Sequence, residues 1–331
     1  MDRRDLLRVL SVAGALLAMP GSDGTSTTSR TGASCDLAEH EQFNEHLWEV
    51  FALARSKRLM YPLVHEQLGQ LTKELERSHS AATHKRLCTL AGDLFQLAGE
   101  ICFDSNHYTD AAQCYSLAAS ASKEASSYDL WACALARHAF IGLYEQRFAE
   151  VVPMLDAASR LAANGDSQLS TRYWVSAVQA EAYAGLGDGD ACMRTLDAAQ
   201  GVRNLAGTVT KSGWLRFDGS RLAEERGTCY MNLSRPESAH AALTEALELN
   251  ISLRRQGSIN SDLAMVGLQR RDLDQVVYYG GKAIALAKQT GSAGYVGRKL
   301  GGLKAQLTPL VSEPQLSSLS YQIDQLALAK I

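Results

Sequence analysis

Apolar and polar positions follow a helical rhythm through most of the chain. From about residue 36 onward, small and bulky apolar side chains recur at intervals of three and four, with short polar breaks between the runs. Sustained period-two alternation is missing, as are clusters of Val, Ile and Thr, so strands are not expected. Helices also recur in pairs. One such pair carries Gly99, Cys102, Tyr108, Ala111, Tyr115 and Ala118; the next carries Ala139, Gly142, Phe148, Val151, Leu155 and Ala158. A third has Ala180, Tyr183, Cys192, Leu196 and Ala199, with Gly187-Asp188 at the turn. A fourth has Gly227, Tyr230, Ala239, Leu243 and Ala246. The last has Ala264, Gly267, Val276, Gly280 and Ala283, with Asp272-Leu273 at the turn.

This spacing is that of a tetratricopeptide unit, in which small residues let the two helices of a pair approach and a bulky residue fills the wedge to the next pair. A single pair cannot bury its apolar face, so the core comes from stacking. The second helices are expected to start at residues 108, 148, 189, 236 and 273. These starts lie further apart than the 34 residues of a regular unit, so the helices are long and the repeats degenerate. Ser234-Arg235-Pro236-Glu237 reads as a capping box, and Gly201 to Gly213 as a longer loop. Residues 36–77 look like two helices, with Pro62 near the start of the second, and 294–329 like two more. The predicted fold is all-α, a right-handed α-solenoid of about fourteen helices. Its solenoid domain spans 36–331 with terminal capping helices, after an N-terminal basic and apolar segment with a flexible linker over 1–35.

Composition narrows the function. The chain has 33 Lys+Arg against 36 Asp+Glu, a formal net charge of −3, which lacks the basic excess that neutralises phosphates; no direct nucleic-acid binding is expected. Seven cysteines at irregular spacing include no Cys-x-x-Cys, and six sit in helical apolar patterns as small hydrophobes. Reduced, buried thiols fit the cytoplasm. The opening Arg3-Arg4-Asp5-Leu6-Leu7-Arg8 before an apolar stretch from Val9 to Met19 also has the shape of a twin-arginine export signal, which keeps an exported scaffold as an alternative. That stretch is too short to cross a bilayer, so no membrane association is expected.

Several blocks carry a resemblance beyond the repeat. They are the opening Arg3-Arg4-Asp5-Leu6-Leu7-Arg8, Thr83-His84-Lys85-Arg86-Leu87-Cys88, Leu94-Phe95-Gln96-Leu97-Ala98-Gly99-Glu100, Tyr108-Thr109-Asp110-Ala111-Ala112, Ala132-Cys133-Ala134 and the run from Arg216 to Gly227. Together they resemble the region that follows the DNA-binding domain in bacterial regulators joining a Cro/repressor-type helix-turn-helix to a tetratricopeptide-like effector domain. The resemblance covers nearly the whole chain, which begins where that helix-turn-helix would have ended. It implies a sensor or interaction module linked to transcriptional regulation, a cytoplasmic setting in which the Arg-Arg-x-Leu-Leu segment is a linker, and, by analogy, a homodimer.

In such a stack the concave face is lined by first helices, at the second, fifth, ninth, twelfth and thirteenth positions when the small residue is the eighth. Counting along the chain nominates Gln96, Glu100, Phe103, Tyr144, Trp174, Glu181, Arg221, Glu224 and Asn232, with Arg172, Arg216 and Asp218 at the flanks. Acids, arginines and aromatics in one groove suit a peptide or protein partner, Arg clamping a carboxylate and Trp or Phe supplying an anchor. The competing view is that these charges satisfy one another between helices and the rings are core. Catalysis has little footing: the eight histidines are scattered, no His-Glu-x-x-His is present, and nothing orients Cys102 and His107 as a thiolate–imidazole pair. No cofactor or metal is expected; Arg254-Arg255 and Arg270-Arg271 offer at most a small basic patch diluted by surrounding acids, the ordinary alternative being that such pairs are solvated or pair across helices. A small-molecule pocket in an enzyme or accessory factor is the remaining alternative.

Overall fold

A computed structural model describes residues 37–54, 56–205, 213–215, 217–249, 251–291, 294–310 and 313–328; the N-terminal segment over 1–35 and Arg216 lie outside them. The described residues form fourteen α-helices and no strand, an all-α solenoid. The leading pair is α1 (Leu37–Leu53) and α2 (Tyr61–Glu76), joined by a 3-10 turn at Lys57–Met60. Five stacked pairs follow: α3 (Ala81–Asp104) with α4 (Tyr108–Ala125), α5 (Tyr128–Tyr144) with α6 (Phe148–Ala163), α7 (Thr171–Gly185) with α8 (Gly189–Ala199), α9 (Gly219–Asn232) with α10 (Pro236–Glu248), and α11 (Leu253–Arg270) with α12 (Leu273–Thr290). Helices α13 (Tyr295–Leu307) and α14 (Pro314–Leu328) close the C-terminal end. The second helices start at the five residues expected from the pattern.

The turn inside each pair is built the same way. The N–H of the residue before the second helix bonds back to the carbonyl five positions earlier: His107 to Cys102, Arg147 to Gly142, Asp188 to Tyr183, Arg235 to Tyr230 and Asp272 to Gly267, at 2.8–3.0 Å. This satisfies carbonyls that the first helix leaves unpaired and needs one left-handed residue in the turn. Asn106, Gln146, Gly187, Ser234 and Arg271 take that role, with φ between 54° and 77°. Ser234 is therefore not the N-cap of a capping box; Arg235 holds the N-cap position and makes no side-chain cap.

Small residues sit where bulky partners enter. A Cβ at Gly99 would lie 2.4 Å from the Tyr115 ring, one at Gly142 2.3 Å from Val151 Cγ1, and one at Gly227 2.5 Å from Leu243. Alanine normally gains about 0.5–1 kcal/mol over glycine inside a helix. At Gly99 the clash decides otherwise. The Tyr115 ring is buried and its hydroxyl donates to Glu100 Oε1 at 2.9 Å, so it cannot step aside freely. Gly99→Ala is expected to cost about 1–3 kcal/mol, the usual range for overpacking. Urea unfolding checks it, and a double-mutant cycle with Tyr115→Leu should show coupling between the two positions.

The apolar interior continues from pair to pair and turns back on itself. Phe103, Ile141 and Tyr115 form one cluster with Tyr108, Tyr144 and Tyr295, which brings the start of α13 against α3 and α5. The Tyr144 and Tyr295 rings are 5.8 Å apart, Arg298 lies 4.5 Å over the Tyr108 ring, and Arg254 pairs with Asp104. Gly294 is pressed so close to the Asp104 carbonyl that a Cβ there would clash with it. The curvature is thus tight enough for the last pairs to meet the first.

Candidate functional site

That closure narrows the hollow side into a cavity of about 610 Å³. First helices α3, α5, α7, α9 and α11 supply most of its wall. The end of α1, Lys57, Tyr115 of α4, the end of α12, the start of α13 and the segments before α9 and α11 complete it. The segment before α9 is anchored by its own apolar residues, Leu215 and Phe217, both buried in the core of the middle pairs.

Several of the lining residues are aromatic. Phe103 meets Tyr144 edge-on at 5.1 Å, and Phe140 stacks on Trp174 at 6.4 Å. Arg137 organises this group although it is only 6% exposed. Its guanidinium lies beside two indoles, 4.8 Å from Trp174 and 5.8 Å from Trp48. It donates to Gln96 Oε1 and to the Trp214 carbonyl, both at 2.6 Å, and faces Glu100 at 3.3 Å. Gln96 is in turn fixed by its amide to the Leu130 carbonyl at 3.0 Å.

A cluster of charged groups runs along α9, α11 and α13, with Tyr295 among its cations. Glu224 accepts from Arg255 Nε at 2.8 Å and lies 3.9 Å from Arg221. Burial alone would push its carboxyl up, but Arg221, Arg255 and Lys299 outweigh burial and hold it below the usual range. Asp262 accepts from Lys299 Nζ at 2.6 Å and stays above the usual range because burial outweighs that partner. Burial pushes Glu181 up to about 8, with Glu225 the strongest charge adding to it. Burial likewise pushes Glu225 up to about 7, Arg221 opposing and Glu224 adding.

Of the twelve nominated residues, Glu100, Phe103, Tyr144, Trp174, Glu181, Asp218, Arg221 and Glu224 line this cavity. Asp218 also caps α9, its carboxylate accepting from the Arg221 backbone N–H at 3.1 Å. Gln96 stands behind the wall as the support of Arg137. Arg172 is outside the lining, as is the exposed Asn232 at the far end of α9. The counting missed Arg137 and Glu225, which both sit one residue beyond the fifth-position line. It also missed Arg254, Arg255, Tyr295 and Lys299. Arg254 and Arg255 are not a solvated basic patch: they turn inward to Asp104 and Glu224. Arg270 pairs with Glu237 at 3.0 Å on the surface of the stack.

Cys102 and His107 do not form a thiol–imidazole pair. The Cys102 thiol is hydrogen-bonded with Cys114, and His107 faces Asp110 at 3.6 Å. The six described cysteines are buried and unbridged. Among the described residues no group of three or more His, Cys, Asp or Glu is placed to hold a metal ion, and no helix is long and apolar enough to cross a membrane.

No family model matches the chain, and no curated protein matches it. Among solved structures, it is similar to a Rap protein complexed with competence and sporulation factor, at 9% identity and a TM-score of 0.47; the alignment covers 88% of this chain and 98% of that one.

Proposed function

We propose that the chain is a regulatory interaction module that takes a short peptide, free or as the tip of a partner protein, in the central cavity. One observation carries this reading: about 610 Å³ of space is lined both by aromatic rings and by charged groups of both signs. That volume falls within the range of about 300–1,000 Å³ typical of ligand sites. A peptide presents apolar side chains, a charge at each end and amide groups, and all three find complements here. The link to transcriptional control rests on the resemblance to helix-turn-helix regulators, and six buried, unbridged cysteines support a reducing, cytoplasmic setting.

Incubation with a pool of random tetrapeptides, followed by native mass spectrometry and hydrogen exchange, tests the reading. Retained peptides should protect amides in α9, α11 and the start of α13. Arg221→Ala, which removes a wall cation, should weaken retention at least tenfold with helicity unchanged by circular dichroism. Retention without protection of these helices would move the site elsewhere.

A further inference from the structure

Charge is matched pair by pair around most of the cavity. Glu224 has Arg255 and Arg221, Asp262 has Lys299, Asp104 has Arg254, and Glu100 has Arg137. Two lining carboxyls stand apart: Glu181 on α7 and Glu225 on α9. Among the described residues neither accepts a hydrogen bond or joins an ion pair, although Glu225 is only 6% exposed. Glu181 is half-buried and Glu225 buried, and both line the cavity; leaving a largely desolvated carboxylate without a partner is costly, so the pair points to chemistry supplied from the cavity.

The groups facing this pair show what is missing. Glu224 and Arg221 come from α9, Arg255 and Asp262 from α11, and Lys299 from α13; Tyr144 of α5 and Cys229 of α9 are neutral neighbours. With the pair itself, four carboxyls meet three cations, so the cluster is one positive charge short. We propose that Glu181 and Glu225 are the seat of a primary ammonium group carried by the ligand. The inference rests on the peptide reading above and names the part of the peptide that is recognised: its amino terminus or a lysine side chain.

A compact ammonium has three donors that rotate freely, and so can serve two acceptors arriving from different helices. A planar guanidinium fork suits a single carboxylate met face-on. Left to themselves, the two carboxyls repel each other in a buried setting and retain a proton near neutral pH, as their raised values of about 8 and about 7 indicate. An arriving ammonium replaces that proton, which leaves to solvent. Binding is therefore coupled to release of up to one proton at pH 7.

Three tetrapeptide pools separate the sources: free amino terminus without lysine, acetylated without lysine, and acetylated with lysine. Each is titrated into the full chain at pH 7 by calorimetry in phosphate and in Tris, whose different ionisation enthalpies report proton release. The acetylated, lysine-free pool is expected to bind at least tenfold more weakly than one of the amine-bearing pools. Proton release should approach one with the wild type and vanish in the Glu181→Gln/Glu225→Gln variant, or in Glu225→Gln alone if the double variant does not fold. Equal binding of acetylated, lysine-free peptides would overturn the ammonium seat and leave the peptide reading standing. If no pool binds, the peptide reading fails, and butylamine then decides the seat. Proton release by butylamine from the wild type but not the variant sustains it; no release, or equal release by Ca²⁺, ends it.

Discussion

Replacing Arg137 with alanine is expected to cost about 3–5 kcal/mol of stability, the range for removing one partner of a buried charged network. The side chain is the junction of elements far apart in sequence: Trp48 of α1, Gln96 of α3, Trp174 of α7 and the Trp214 carbonyl before α9 all rest on it. Truncation leaves the Gln96 Oε1 and Trp214 carbonyl acceptors without their donor and Glu100 without its facing cation, and the two indoles lose the guanidinium beside them. Lysine keeps the charge, yet its single ammonium cannot reproduce the guanidinium's two diverging bonds to Gln96 and the Trp214 carbonyl beside both indoles, so Arg137→Lys should recover little of the loss. Urea unfolding followed by tryptophan fluorescence measures the cost, since Trp48 and Trp174 report on the site itself. Hydrogen exchange should locate the loosening at residues 213–217 and the first turn of α9. A near-neutral Arg137→Ala would mean that the segment before α9 holds the cavity closed by its apolar anchors, Leu215 and Phe217, alone.

The helix starts at 108, 148, 189, 236 and 273 were legible because close packing writes itself locally. Gly99 must face Tyr115, and Gly142 must face Val151, within one pair of helices. Turn chemistry was less legible. Only Asn106 and Gly187 are the usual residues for a left-handed turn; Gln146, Ser234 and Arg271 hold the same conformation because the repeated backbone bond demands it. That is why Ser234 looked like a cap. The counted positions on the first helices reached Trp174, Glu181, Arg221 and Glu224, since a helix repeats its faces regularly. A helix advances about 100° per residue, so the sixth position also borders the hollow, and a wider count would have found Arg137 and Glu225. No count along the repeats finds Lys299 or Tyr295. They reach the cavity only because α13 folds back against helices more than a hundred residues earlier in the chain, and that closure has no local signature.

Lys299→Met should also cost about 3–5 kcal/mol at pH 8.5, and its cost should shrink toward pH 5. Lys299 donates to Asp262 and is the cation from α13 that faces Glu181, Glu224 and Glu225. Methionine fills much of the same volume, so the change isolates charge. Asp262, Glu181 and Glu225 already sit above their ordinary values in the folded protein, and losing the cation raises all three further. A carboxyl whose folded value exceeds its unfolded one binds more protons folded than unfolded between those two values, so stability falls as pH rises through that window. Below about pH 4 both states are protonated and the carboxyls impose no penalty. Near pH 8.5 the folded variant must either ionise three crowded carboxyls without Lys299 or hold protons against the solvent, and the full cost is felt. Groups common to both proteins, such as His138, cancel when the difference between variant and wild type is plotted against pH. The difference should therefore widen between pH 5 and pH 8.5, and adding Glu181→Gln to the variant should flatten it. A constant difference across that range would show that Lys299 acts through packing at Tyr295 rather than by balancing the carboxyls of the cavity.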